Sequence, residues 1–324
     1  MSPPPPDLRH RLRGVVPSQN TPFLADGAVD FAGVARLAEA SCAAGVAGML
    51  VLAVASENRA LSVDERRRIG ETFMAVVAGQ VPVVIAVSAA DLETALALTR
   101  QAVAVGADAV CWQAPQGLPV EALDAQVARI CDLGPPLFML QDLDFGGPGL
   151  SLADIERLYR RNPLFRAIKV ETQPAGQKYT ALRRAFGDDI HVSGGWAVMQ
   201  MIEALQRGVD AFMPTAMDHI YVRIHRLFAS GRIDEARALF ERMLPFIAFS
   251  NQHIEVSIRF FKRLRRLDGT FATDACRPPT AELDAFQQAS LEALAIRAVA
   301  LDREAAASNA GDMADSGAPP PVQP

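Results

Sequence analysis

The chain has 324 residues and a formal net charge of −5, and half of its residues are apolar. A (β/α)₈ barrel needs roughly 250 residues, so this length accommodates one barrel and an additional segment. Nucleic acids and anionic membranes are bound through clustered positive charge, which this acidic composition lacks. The composition therefore excludes both as principal partners and favours a small molecule.

The cysteines and the chain ends predict a cytoplasmic protein without a metal site. The four cysteines lie far apart and form no metal-binding or Cys-x-x-Cys pattern: Cys42, Cys111, Cys131 and Cys276. This spacing is typical of reduced, buried thiols. The N-terminal segment lacks the apolar core of a signal peptide, and no stretch reaches the roughly 18 apolar residues of a membrane span.

Short β-rich runs alternate with helical segments as far as about residue 230. Eight runs are predicted to be strands: 13–17, 48–53, 82–88, 108–112, 136–141, 166–170, 190–193 and 209–213. Gly45, Gly106 and Gly208 stand where helices should end, and a strand follows each within four residues. The run 81–87 is apolar throughout, which is typical of parallel strands covered on both faces. These features predict an α/β fold, a closed (β/α)₈ TIM barrel; an open doubly wound sheet is the alternative, but its GxGxxG fingerprint is missing.

After the eighth strand the pattern becomes purely helical, which predicts a C-terminal helical appendage. Helices are expected near 218–229, 232–247, 250–267 and 281–303. Both chain ends are rich in proline or small residues without periodicity, and we expect them to be disordered. The predicted organisation is a disordered stub over 1–11, a barrel over 12–230, a helical region over 231–304 and a disordered tail over 305–324.

Lys169, at the end of the sixth predicted strand, is the candidate catalytic residue. In a (β/α)₈ barrel the active site lies at the carboxyl ends of the strands. Period-two alternation puts Ile168 and Val170 on one face, so Lys169 points into the barrel if that pair faces the helices. An amine there can attack a ketone and form an imine. A lysine that reaches from the strand end into solvent is the alternative.

The other basic residues are less suited to this chemistry. The chain has three lysines, and its remaining bases are arginines, which keep their proton and cannot act as amine nucleophiles. Lys178 lies on a predicted helix and Lys262 begins a basic helical run. Both are expected to be solvated, as is the basic face over 263–266.

Several short motifs besides this lysine follow one another in a fixed order along the chain. They are Thr21-Pro22-Phe23 with Asp26-Gly27 and Asp30, Ser56-Glu57 with Leu61-Ser62 and Glu65, and Ile168-Lys169. From about Gly14 to Leu301 the chain resembles the dihydrodipicolinate synthase and N-acetylneuraminate lyase family. The resemblance implies a barrel enzyme in which Lys169 forms an imine with pyruvate or another 2-keto acid. It also implies that no cofactor is needed beyond this imine, and that the protein is a homodimer or homotetramer.

The loop after strand two departs from the family pattern. The family commonly has GTTGE there, with threonine hydroxyls that help to hold the substrate carboxylate, whereas this chain has Ala53-Val54-Ala55-Ser56-Glu57. Backbone N–H groups of Ala55 and Ser56 and the Ser56 hydroxyl are the expected replacements. A purely loop-capping role for the Ser56 hydroxyl is the alternative.

The end of strand five also departs from the family pattern. Gln141 stands where the family has a proton-relaying tyrosine, and an amide has no titratable proton. Proton transfer is therefore expected from a water, a substrate group or Asp142. Phe145-Gly146-Gly147 replaces the arginine that meets the second substrate of the synthase, which argues against dihydrodipicolinate synthesis. The tyrosine that the family contributes across a dimer is also missing, at 114–117.

Other motifs resemble the family branch that contains L-2-keto-3-deoxyarabonate dehydratase. They are Ser56-Glu57, Gln141-Asp142, Lys169-Val170-Glu171-Thr172 and Gly194-Gly195-Trp196. The resemblance implies that Glu171, Gly194 and Trp196 contact the substrate, together with Thr215 at a family position that often carries serine or glycine. A salt bridge for Glu171 and rim packing for Trp196 are the alternatives.

The predicted function is a lyase that dehydrates a 2-keto-3-deoxy sugar acid. A pyruvate-dependent aldolase or a dihydrodipicolinate synthase-like enzyme is the alternative, because the same imine precedes a different bond cleavage. A further alternative is an inactive member that binds keto acids. The missing threonines and tyrosine favour inactivity, whereas the retained Lys169 opposes it.

Overall fold

Eight parallel strands form the barrel in the computed structural model, which describes residues 7–196 and 199–315. The strands are β1 (Gly14–Val15), β2 (Met49–Val51), β3 (Val83–Ala86), β4 (Ala109–Gln113), β5 (Phe138–Asp144), β6 (Phe165–Thr172), β7 (His191–Gly194) and β8 (Ala211–Phe212). Their order is β1-β8-β7-β6-β5-β4-β3-β2, and a parallel bridge from Ser18, which follows β1, to Leu50 on β2 closes the ring of strands. The predicted TIM barrel is confirmed.

Helices connect and cover these strands. They are α1 (Leu8–Arg11), α2 (Phe31–Ala44), α3 (Val63–Val77), α4 (Leu92–Ala104), α5 (Val120–Cys131), α6 (Leu152–Arg161), α7 (Ala175–Phe186), α8 (Met201–Gln206), α9 (Asp218–Ala229), α10 (Ile233–Ser250), α11 (Ile254–Leu267) and α12 (Ala285–Asp315). The sequence sets their ends locally. Ser62 and Glu65 form a capping box that begins α3, and Gly45 ends α2 with a left-handed φ of 78°. No helix in the described part of the chain is long and apolar enough to cross a membrane.

Alternation along the strands separates two apolar layers. Leu50 belongs to the cluster inside the barrel, whereas its neighbours Met49 and Val51 pack in the layer between strands and helices. Leu12, which follows α1, is fully buried in the inner cluster. The interior is thus a packed core, and a site can form only at its carboxyl-terminal mouth.

The ordered segments extend beyond the predicted boundaries at both ends. Helix α1 lies within the predicted stub, and Arg9 on it donates to the Asp189 carbonyl at 2.7 Å. Helix α12 continues to Asp315, past the predicted limit at 304, and buries Ala305. The alanine-rich tail lacks periodicity, but alanine is the strongest helix former and α12 packs on α9 and α11. Positions 1–6 and 316–324 lie outside the described residues.

The expectation of solvation is wrong for Lys262 and Arg265, whereas Arg266 on the same basic face is exposed as predicted. Lys262 is fully buried: its ammonium pairs with Glu57 and donates to the Ala275 carbonyl at 2.7 Å. Arg265 is also buried and pairs with Asp218 at 2.9 Å. A local pattern cannot reveal these pairs, because the acids lie far away in the sequence.

Replacing Lys262 by methionine should lower the free energy of unfolding by about 3 kcal/mol, because the buried Glu57 carboxylate loses its cation. Urea unfolding measures the change, and Arg266→Met on the exposed face of the same helix is the matched control. The double variant Lys262→Met/Glu57→Gln should recover part of the loss. Equal stabilities for Lys262→Met and Arg266→Met would contradict the importance of the pair.

Candidate active site

Lys169 lies inside the barrel, in register with Gln141 on β5 and Ser193 on β7. Its neighbours Ile168 and Val170 belong to the outer apolar layer, and the lysine is 3% exposed. This is the orientation that period-two alternation predicted.

Glu171 is the centre of the polar contacts around Lys169. It follows the lysine by two positions on β6 and therefore shares its face. Its Oε2 atom lies 3.1 Å from Lys169 Nζ and accepts a hydrogen bond from Gln141 Nε2 at 2.5 Å. Its Oε1 atom accepts one from the backbone N–H of Trp196 at 2.9 Å. The buried Glu171 carboxylate thus contacts three other predicted site residues.

The turn after β7 is built to approach this carboxylate. A Cβ atom on Gly195 would overlap the Glu171 side chain, so only glycine permits this close approach. Trp196 takes a left-handed φ of 57°, and its carbonyl accepts a hydrogen bond from Asn251 at 3.0 Å. Its ring packs on Phe145 with centroids 4.0 Å apart. Trp196 therefore lines the cavity and also packs at the rim.

A small cavity of about 30 Å³ surrounds the lysine. Six predicted site residues line it: Ala55, Gln141, Lys169, Glu171, Trp196 and Thr215. Other lining residues were not predicted, chiefly Ser18 on the β1 side, Asn251 after α10, and Ile254, Ser257 and Phe261 on α11. Nothing in their local patterns distinguishes them, because the packing of α10 and α11 on the barrel mouth brings them there. A groove of about 560 Å³ adjoins the cavity and shares Phe145, Glu171 and Trp196 with it.

Two predicted site residues lie outside this wall. The Ser56 hydroxyl donates to the Gln19 carbonyl at 2.5 Å, and the Ser56 carbonyl accepts from Thr21 Oγ1 at 2.8 Å. These contacts fit the loop-capping alternative. Gly194 pairs with strand neighbours, and its carbonyl accepts from the Met213 N–H at 2.8 Å.

Asp142 faces away from the cavity, so its position does not support the expected proton transfer. It alternates with Gln141 along β5, pairs with Lys178 and accepts from the Leu150 N–H at 3.1 Å. Lys178 also donates to the Pro148 carbonyl at 2.6 Å. The expectation that Lys178 is solvated is therefore wrong: the pair anchors the loop that carries Phe145.

Burial keeps two other titratable groups in the barrel uncharged near neutral pH. It raises the pKa of the Cys111 thiol to about 12 and lowers the pKa of the His191 imidazole to about 4. Within the described cavity wall, Lys169 and Glu171 are the ionisable side chains. In residues 7–196 and 199–315, no group of three or more His, Cys, Asp or Glu side chains is arranged to hold a metal ion.

The chain is similar to several known proteins. L-2-keto-3-deoxyarabonate dehydratase of Azospirillum brasilense is 30% identical over 296 residues, which cover 89% of this chain and 94% of that protein. A probable 2-dehydro-3-deoxy-D-pentonate aldolase of Escherichia coli strain K12 is 24% identical, covering 74% and 81%. The solved sialic acid aldolase of Ruminococcus gnavus has a TM-score of 0.83 at 20% identity, covering 91% and 99%. Residues 11–298 match the model of the dihydrodipicolinate synthetase family, and the chain belongs to this family of lyases.

Proposed function

We propose that the protein dehydrates a 2-keto-3-deoxy sugar acid through a Schiff base on Lys169. The observation that carries the proposal is the Glu171 carboxylate, which lies 3.1 Å from Lys169 Nζ. This contact places an amine nucleophile beside a proton acceptor in one buried cavity, which is the arrangement that imine chemistry requires. The similarity to a keto-deoxy sugar acid dehydratase supports water loss as the outcome.

Imine formation is the first step. Glu171 takes a proton from the Lys169 ammonium, and the free amine attacks the C2 ketone. The carbinolamine then loses its hydroxyl group, protonated by Glu171, as water. The resulting iminium acidifies the C3–H bonds of the substrate, because the positive nitrogen can accept the electron pair of a C3 carbanion as an enamine.

Elimination is the second step. The Glu171 carboxylate removes a C3 proton, and the enamine electron pair expels the C4 hydroxyl, which leaves as water with a proton returned by Glu171. Hydrolysis of the conjugated iminium releases the product and the free lysine.

Gln141 contributes no proton; its amide donates to Glu171 Oε2 and orients the carboxylate. Asn251 and Ser257 supply polar groups for the substrate hydroxyls.

An aldolase is the second candidate, supported by the similarity to a probable pentonate aldolase. In that reaction the same carboxylate would remove the proton of the C4 hydroxyl, and the C3–C4 bond would break to give pyruvate and an aldehyde. Dihydrodipicolinate synthesis has less support, because the segment that replaces the arginine of the synthase contributes an apolar side chain, Phe145, to the cavity wall.

A panel of 2-keto-3-deoxy pentonates and hexonates tests the proposal. We expect a product lighter by one water, measured by mass spectrometry, without pyruvate in a coupled dehydrogenase assay. Lys169→Arg is the matched inactive control. Equal amounts of pyruvate and aldehyde would identify an aldolase instead, and no turnover of any substrate would leave dehydration without support.

A further inference from the structure

Ser18 places a hydroxyl without a hydrogen-bond partner in the wall of the Lys169 cavity. Val16 belongs to the inner cluster of the barrel, and Ser18 follows it by two positions on the same face. The backbone fixes this position, because the Ser18 N–H donates to the Pro214 carbonyl at 2.7 Å and the residue bridges to Leu50. The residue is 4% exposed, and its Oγ atom has no partner among residues 7–196 and 199–315.

A buried hydroxyl without a partner is costly, and the polar groups of protein interiors are nearly always satisfied. A hydrogen-bond partner for the Ser18 hydroxyl can come from the cavity, since Ser18 lines it together with Lys169. A ligand oxygen that enters the cavity would satisfy this donor.

The loop after β2 offers the cavity no free side-chain hydroxyl. Val54 and Ala55 carry none, and the Ser56 hydroxyl already donates to the Gln19 carbonyl. Ser18 bridges to β2, the strand that leads into this loop, so its hydroxyl lies on the same side of the barrel mouth. Glu171, which would act at C3 and C4, lies on β6 across the barrel. A substrate joined at C2 to Lys169 would therefore extend its C1 carboxylate toward Ser18.

We propose that the Ser18 hydroxyl binds the C1 carboxylate of the 2-keto acid, in place of the loop hydroxyls that this chain lacks. The proposal rests on the proposed function, because it requires a keto acid on Lys169. A hydrogen bond from a hydroxyl to a carboxylate is charge-assisted, so its loss should weaken keto-acid binding about ten-fold.

Borohydride trapping of pyruvate on Lys169 tests this role without knowledge of the natural substrate. The half-saturating pyruvate concentration is measured by intact mass for the wild type, Ser18→Ala and Ser290→Ala, an exposed serine on α12. Ser18→Ala should require about ten-fold more pyruvate, and Ser290→Ala should match the wild type. Trapping of hydroxyacetone, a ketone without a carboxylate, should be unchanged in Ser18→Ala. Thermal unfolding of Ser18→Ala should occur at or above the wild-type temperature, because an unsatisfied buried hydroxyl is removed.

Each other outcome is decisive. An unchanged half-saturating pyruvate concentration in Ser18→Ala would overturn the role of Ser18 and leave the imine chemistry intact. Equal weakening toward pyruvate and hydroxyacetone would overturn the assignment to the carboxylate. No adduct in the wild type would overturn the proposed function itself, and with it the inference.

Discussion

Replacing Lys169 by arginine is expected to abolish the covalent adduct with pyruvate and to lower kcat by at least about 10⁴-fold, the scale seen when a covalent nucleophile is removed. Arginine keeps a positive charge beside Glu171, so the ion pair in the cavity is retained. Its guanidinium group does not lose its proton and cannot attack a ketone. The variant therefore separates the charge of the residue from its nucleophilicity. Intact mass after borohydride reduction and a turnover assay measure the two effects.

The small number of lysines makes this result easy to interpret. Besides Lys169 the chain has Lys178 and Lys262, and both are engaged in ion pairs. Lys178→Arg is the matched control, because it makes the same substitution at a lysine outside the cavity wall, and it should still form the adduct. Peptide mapping should place the adduct on Lys169 alone. An adduct on another lysine, or undiminished trapping in Lys169→Arg, would contradict the assignment.

The barrel and the direction of Lys169 follow from local rules. The repeated β/α unit and the apolar strand runs identify parallel strands, and all eight predicted strands overlap observed ones. Alternation assigns Lys169 to the inner face. That prediction succeeds because a strand fixes the direction of each side chain by its position alone. The same rule explains why Glu171 faces inward and why Asp142 faces away from the cavity, contrary to the expectation that it transfers protons.

The partners of the polar groups could not be predicted in this way. Ser18 and Ser56 are both serines near strand ends, and the pattern favours Ser56 because it lies in the expected loop. Its hydroxyl donates instead to Gln19, a contact across 37 positions that no local signal reports. Likewise, only the family resemblance indicates Glu171 as a site residue. Its three simultaneous contacts depend on how β5, β6 and the turn after β7 meet in space.

Replacing Glu171 by glutamine should separate imine formation from the proton transfer that follows it. The amide is nearly isosteric and its oxygen can still accept the Trp196 N–H, but it cannot remove a proton from C3. Loss of a positioned general base typically lowers the rate 10²–10⁴-fold, and we expect kcat to fall about 10³-fold. Water can deprotonate the Lys169 ammonium slowly, so prolonged incubation with pyruvate and borohydride should still give the full adduct.

Exchange of the pyruvate methyl protons with D₂O, followed by NMR, reports the proton transfer without the natural substrate. The wild type should exchange these protons through the enamine, and Glu171→Gln should exchange them about 10³-fold more slowly. Gln141→Met is the matched comparison: it keeps the carboxylate but removes the hydrogen bond that orients it, so exchange should slow by only about ten-fold. If Glu171→Gln exchanged at the wild-type rate, another group would be the base. If it lost trapping as well, the carboxylate would be indispensable for the imine and not only for proton exchange at C3. Retained trapping with lost exchange is the expected outcome, because water can slowly replace Glu171 in imine formation, whereas no ionisable side chain of the described cavity wall other than Lys169 could replace it at C3.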